Sequence, residues 1–78
     1  MADLEKTLVD VAKAIVDSPD EVFVSRDEDD RTITLTLTVA PDDMGMVIGK
    51  HGKIAKAIRS VIKAASAGSG KRVNVEIR

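Results

Sequence analysis

Apolar side chains fall at Leu4, Leu8, Val11, Ala12 and Ile15, at steps of four, three, one and three that place them on one stripe of an α-helix. Asp3 stands ahead of the stripe as an N-cap, and Pro19 is expected to stop the helix after Ser18. Residues 21–26 (Glu21-Val22-Phe23-Val24-Ser25-Arg26) are rich in β-formers and lead into an acidic turn, Asp27-Glu28-Asp29-Asp30. Thr32-Ile33-Thr34-Leu35-Thr36-Leu37-Thr38-Val39 then alternates strictly, so a strand here buries an aliphatic face and leaves a hydroxyl-lined face outside. A sheet with one open face carries its helices on the other. That predicts a two-layer α+β domain and disfavours a doubly wound fold, whose central strands are apolar on both faces.

Ala40-Pro41-Asp42-Asp43 ends the strand and opens a second helix, with Asp42 or Asp43 as its cap. Met44, Val47 and Ile48 give a short apolar face before Gly49 and Gly52 interrupt it, and the period resumes with Ile54, Ile58, Val61, Ile62 and Ala65. One continuous helix would lose roughly 1 kcal/mol at each glycine, so the pattern predicts two helices joined by a tight Gly49-Lys50-His51-Gly52 turn. Ser66-Ala67-Gly68-Ser69-Gly70 reads as a loop, and Val73, Val75 and Ile77 alternate with Asn74, Glu76 and Arg78 as a last strand. The order is α-β-β-α-α-β over residues 1–78, expected to be one domain without linker, repeat or tail. A short turn makes the first two strands antiparallel, and the helical pair is long enough to cross over between parallel neighbours. The prediction is a three-stranded mixed sheet of order 1-2-3, strands 2 and 3 parallel, helices on one face.

Composition narrows the chemistry. There is no cysteine, so no disulfide framework and no thiolate zinc site, and the single His51 cannot build a multi-histidine metal centre. No cofactor is implied and no positioned nucleophile is apparent, which disfavours an enzyme. Met1-Ala2-Asp3-Leu4-Glu5-Lys6 lacks the basic start and apolar run of an export signal, and no stretch approaches the roughly 18 apolar residues of a membrane span. A cytoplasmic, membrane-free protein is the expectation. The lone aromatic, Phe23, argues against readers that stack bases on several aromatic rings. Net charge is only −1, yet residues 1–43 hold twelve acids against four bases, and residues 44–78 hold eight bases against one acid. Such asymmetry points either to an anionic partner or to faces that neutralise one another across the fold.

Gly49 and Gly52 remove the Cβ atoms that would hold a ligand backbone away, and the helix that follows turns its unpaired N–H groups and positive dipole end toward the same place. Lys50, Lys53 and Lys56 crowd that helix start, where the macrodipole disfavours cations unless an anion sits among them. The combination suits a phosphate. A bare G-x-x-G is common as a plain turn, however, and its surroundings decide its meaning. Lys53, Lys56, Arg59 and Lys63 are read as a solvated helix face opposite Ile54, Ile58 and Val61, with extension of a nucleic-acid track as the second reading. Gly68-Ser69-Gly70-Lys71 fails as a P-loop, because the first glycine would fall at Ala65, the Ser/Thr at Arg72, and a strand follows. Asp27-Glu28-Asp29-Asp30 lacks the spacing of a calcium loop.

The run Met44-Gly45-Met46-Val47-Ile48-Gly49-Lys50-His51-Gly52-Lys53-Ile54, set after a strand and between two helices, resembles the V-I-G-x-x-G-x-x-I signature of KH domains. The element order resembles the type II version, and with the Ile54-Ala55-Lys56-Ala57-Ile58-Arg59 continuation the whole chain is similar to the KhpA/YlqC family of small bacterial RNA-binding proteins. The resemblance implies a groove for about four unpaired nucleotides, with the GxxG turn clamping their backbone. Gly49, Lys50, His51 and Gly52 would contact phosphate and sugar, with Lys53 and Lys56 beside them. Met46, Val47, Ile48, Ile54 and Ile58 are candidates for an apolar floor, Ile48 and Ile58 being expected to serve the core alone, and Arg72 and Asn74 would form the opposite wall. It implies single-stranded RNA as ligand, with single-stranded DNA left open, and action as a homodimer or with a Jag/KhpB-family partner in post-transcriptional regulation or RNA chaperoning. The Thr32-Thr34-Thr36-Thr38 face and the helices are both candidate interfaces. The alternative is a protein-interaction module that keeps the fold without depending on nucleic acid.

Overall fold

Asp3 accepts the Lys6 N–H through its side chain at 3.2 Å, and α1 (Leu4–Ile15) begins there, as the sequence predicts. In this computed structural model, which describes residues 3–78, α1 buries Leu4, Leu8 and Ala12. It ends three residues earlier than Pro19 alone suggests. Val16 already has extended backbone and turns its side chain into the core, and Ser18, restricted by the following proline, gives its N–H to the Asp43 carboxylate at 3.0 Å.

β1 (Phe23–Glu28) and β2 (Thr32–Thr38) form an antiparallel hairpin, with Phe23 opposite Thr38 and Glu28 opposite Ile33. The expected acidic turn is therefore shorter than four residues, since Asp27 and Glu28 belong to the strand. Asp29 closes the turn by accepting the N–H groups of Arg31 at 2.8 Å and Thr32 at 2.7 Å. In β2 the alternation is realised as predicted: Ile33, Leu35 and Leu37 are buried, while Thr32, Thr34 and Thr36 line the other face.

After a single 3-10 turn at Pro41–Asp43, α2 (Met44–Ile48) leads through the glycine turn into α3 (Lys53–Ala65), and β3 (Arg72–Ile77) completes the sheet. Strand order is β1-β2-β3, with β2 and β3 parallel, as predicted. This is the type II KH arrangement. Asp43 occupies the N-cap position of α2 without capping it. Its buried carboxylate is instead the acceptor for Ser18, which ties the end of the α1 connection to the start of α2.

The core joins Leu4, Leu8 and Ala12 of α1 to Ile33, Leu35 and Leu37 of β2, Val47 of α2, Ile58 and Ile62 of α3 and Val75 of β3. Two expectations about α3 need correction. Its buried face is Ala55, Ile58 and Ile62, while Ile54 and Val61 are 38% and 46% exposed. The last apolar position of the signature thus falls on Ala55, one residue after Ile54. An alanine there lets the helix sit close to the layer beneath it and rotates Ile54 and Val61 to the rim.

Candidate nucleic-acid interface

Three residues of the turn between α2 and α3 have positive φ: Gly49 at 74°, His51 at 57° and Gly52 at 74°. Gly49, with ψ of 175°, occupies a region that is essentially closed to residues with a Cβ. A Cβ built there would also lie 2.3 Å from Ile54 Cγ1 and 2.8 Å from Ile54 Cβ, so the rim isoleucine packs directly over the glycine. Around Gly52 there is open space, and its conformation is left-handed helical. The two glycines therefore differ: the first is required by packing and backbone, the second by backbone alone.

Gly49 N–H reaches Gly45 O at 2.9 Å, Gly52 N–H reaches Gly49 O at 3.2 Å, and Lys53 N–H reaches back to Lys50 O. No side chain caps the start of α3. Lys50, His51, Lys53 and Lys56 are exposed around it, and among the described residues none of them has a carboxylate within ion-pairing distance. A single ion pair, Lys71 with Glu28, joins the acidic and basic halves among the described residues. Direct ion pairing between the halves does not account for the charge split among the described residues.

The apolar candidates separate cleanly. Met46 and Ile48 are 41% and 40% exposed and, with Ile54, form an apolar rim beside the turn. Val47 is fully buried in the core, as is Ile58, so Val47 is removed from the floor and Ile48 is not a core residue. In a helix as short as α2 only one side can face the core, and the residues on either side of Val47 in the chain point away from it.

Arg72 and Asn74 lie opposite Thr32 and Thr34 in the β2–β3 register, which puts their side chains on the open face of the sheet. They lie beside the C-terminal part of α3, a helix about 20 Å long for 13 residues at 1.5 Å each, whose other end starts at the turn. They do not form the wall opposite the turn. Together with Lys63, Ser66, Ala67, Gly70, Lys71 and Val73 they border a cavity of about 580 Å³ where α3 gives way to β3. The free backbone edge of β3 is reached by Arg59, whose Nε donates to Val75 O at 3.3 Å. Lys56, Arg59 and Lys63, spaced by three and four, share one flank of α3, and the Arg59 bond shows that this flank faces β3. Sequence reasoning placed it opposite the core. Its spacing was visible, but only the packing angle of α3 reveals what it faces.

Residues 5–77 match the family described as "KhpA/KhpB, KH domain". RNA-binding protein KhpA of Clostridium acetobutylicum is 57% identical over 74 residues, covering 95% of this chain and 99% of that protein. RNA-binding protein KhpA of Caldanaerobacter subterraneus subsp. tengcongensis is 52% identical over 77 residues, covering 99% of both. Among solved structures, Aquifex aeolicus Era superposes with a TM-score of 0.70 at 17% identity, over 95% of this chain and 29% of Era, a likeness of fold. With the element order, the glycine turn and the family match in agreement, this chain belongs to the KhpA/KhpB family of KH domains.

Proposed function

We propose that this protein is a non-enzymatic, cytoplasmic RNA-binding module that holds about four unpaired nucleotides between α3 and the free edge of β3, with Gly49-Lys50-His51-Gly52 against their phosphates. The observation that carries this reading is the start of α3, which no side chain caps and which is ringed by cations without carboxylate partners among the described residues. An oligonucleotide backbone supplies both missing partners. The names of the similar proteins, RNA-binding protein KhpA, point the same way. Met46, Ile48 and Ile54 offer aliphatic contact to bases, and the absence of aromatic rings from this rim favours modest base selectivity. With about two or three phosphate contacts, affinity falls with salt at a slope near 0.7 per contact. A single groove of this kind binds weakly, so a second copy or a Jag/KhpB-type partner supplies avidity in post-transcriptional regulation or RNA chaperoning.

The test is a titration of short single-stranded RNA and DNA against wild type and Lys50→Asp/His51→Asp. Both side chains are exposed, and aspartate tolerates the left-handed backbone at position 51, so the fold is retained by circular dichroism. The expected result is at least about a tenfold loss of RNA affinity from placing two negative charges against phosphate. Equal binding by the double variant would sink the clamp and favour a protein-interaction module.

A further inference from the structure

The chain carries 13 acidic residues, yet none borders the cavity of about 580 Å³ at the junction of α3 and β3. Three cations do: Lys63, Lys71 and Arg72. Lys71 is already matched, since its ammonium donates to the Glu28 carboxylate and to Asp29 O at 3.0 Å. Lys63 and Arg72 are exposed, and among the described residues neither has a carboxylate within ion-pairing distance. Two like charges on one cavity repel unless an anion sits between them. Asn74, on the same border, adds an uncharged amide donor. The cavity is also continuous with the groove, because Lys63 closes the flank of Lys56, Arg59 and Lys63 that faces β3 and begins beside the turn.

We infer that this junction is a second phosphate-binding site, where Lys63 and Arg72 hold the RNA strand again after it leaves the nucleotides clamped at the turn. The inference rests on the RNA-binding reading above. Lys63 follows Gly52 by eleven residues, roughly 16 Å along α3. That length is about five nucleotides at the 3.4 Å rise of a stacked strand, so the phosphates at the cavity lie beyond the clamped four. It also exceeds the Debye length of about 8 Å at physiological salt, so the two sites act on separate phosphates instead of as one diffuse field. The pair suits a phosphodiester: the Arg72 guanidinium presents a planar fork to two oxygens, and Lys63 adds a point charge. One copy of the domain thus grips a strand at two places, with the flank of α3 between them.

Fluorescence anisotropy with oligouridines of four and eight nucleotides, over a series of salt concentrations, tests this in wild type, Lys63→Gln and Lys63→Gln/Arg72→Gln. Both side chains are exposed, and the ladder bond of Arg72 to Arg31 O is made by its backbone, so the variants keep the fold. The registers open to a four-nucleotide site on an eight-nucleotide strand raise affinity about fivefold without changing the salt slope, so the slope is the readout. In wild type the slope for eight nucleotides is expected to exceed that for four by about 1.4, two contacts at 0.7 each. Lys63→Gln should halve that excess and the double variant abolish it, with affinity for four nucleotides changed by less than about twofold. Equal slopes for the two lengths in wild type, or equal weakening of both lengths in the double variant, would overturn the inference. Either result, with binding still lost in Lys50→Asp/His51→Asp, leaves the clamp standing. Absence of RNA binding by wild type overturns both.

Discussion

Two short turns join neighbouring elements of this domain, and they treat their polar groups in opposite ways. In the β1–β2 turn, Asp29 accepts two backbone N–H groups, and its own N–H donates to Thr32 O at 2.9 Å. Lys71 then bridges the Glu28 carboxylate and Asp29 O, while Arg26 holds the other oxygen of Glu28. The Asp29, Arg31 and Thr32 N–H groups and the Glu28 carboxylate all find partners within the protein. The α2–α3 turn has three positive-φ residues, no side-chain cap and a ring of cations without carboxylate partners among the described residues. A turn that satisfies itself is finished when the chain folds. One that breaks several local preferences at once marks a place where a ligand completes the structure.

The sharpest way to break that comparison is to relieve the α2–α3 turn of its glycines one at a time. Gly49→Ala must overlap the β-branched Ile54 side chain and occupy a backbone region closed to alanine, at a cost of about 3 kcal/mol in urea unfolding. Gly52→Ala meets no neighbour and suffers only from its left-handed backbone, about 1 kcal/mol. Asparagine, which tolerates that region, is expected to recover part of the loss at position 52 but none at position 49. Equal effects at the two positions would show that packing against Ile54 is not what fixes the turn.

This asymmetry was hidden in the sequence, where the two glycines look alike. The layer order, the parallel β2–β3 pair and the site of the GxxG turn were all legible, because strict alternation in β2, the Pro and Gly punctuation and the length of the crossover each leave a local mark. What was not legible depends on how far a helix is rotated against its sheet. Ile54 and Val61 fit the apolar period of α3, yet the buried arc is centred on Ala55, Ile58 and Ile62. The same rotation turns Lys56, Arg59 and Lys63 toward β3. Arg72 and Asn74 failed as a wall for a related reason: alternation along a strand is visible, but which face meets the groove is set by register. Val47 and Ile48 changed places because a five-residue helix gives too little period to orient it.

The self-satisfied turn is broken most directly at Asp29. Asp29→Ala strips the Arg31 and Thr32 N–H groups of their acceptor in an exposed position where water can replace it, so the expected effect is a fall in Tm of about 5 °C with RNA affinity unchanged. A matching loss of RNA binding would mean that the acidic hairpin and the groove are coupled, and the division between the two turns would fail.

The smallest effect sharpens the same division through pH. Hydrogen bonds from Lys71 and then Arg26 hold the Glu28 carboxyl below the usual carboxylate range, and the Arg31 and Thr32 N–H groups do the same for Asp29. A carboxyl whose pKa is lower in the folded than in the unfolded chain stabilises fully above the unfolded pKa, and that stabilisation disappears as pH falls through the folded value. Tm should therefore hold level near neutrality and decline on acidification through and below the ordinary carboxylate range. Glu28→Gln removes one contributor, so its Tm is expected to start slightly lower at neutral pH, fall less steeply and converge on wild type in acid. Lys50→Gln, altered in the other turn, should keep the wild-type slope where Glu28 titrates, because among the described residues no carboxylate pairs with Lys50 in the folded protein. Parallel acid profiles for wild type and Glu28→Gln would show that the Lys71–Glu28–Arg26 contacts are too solvated to favour the folded chain.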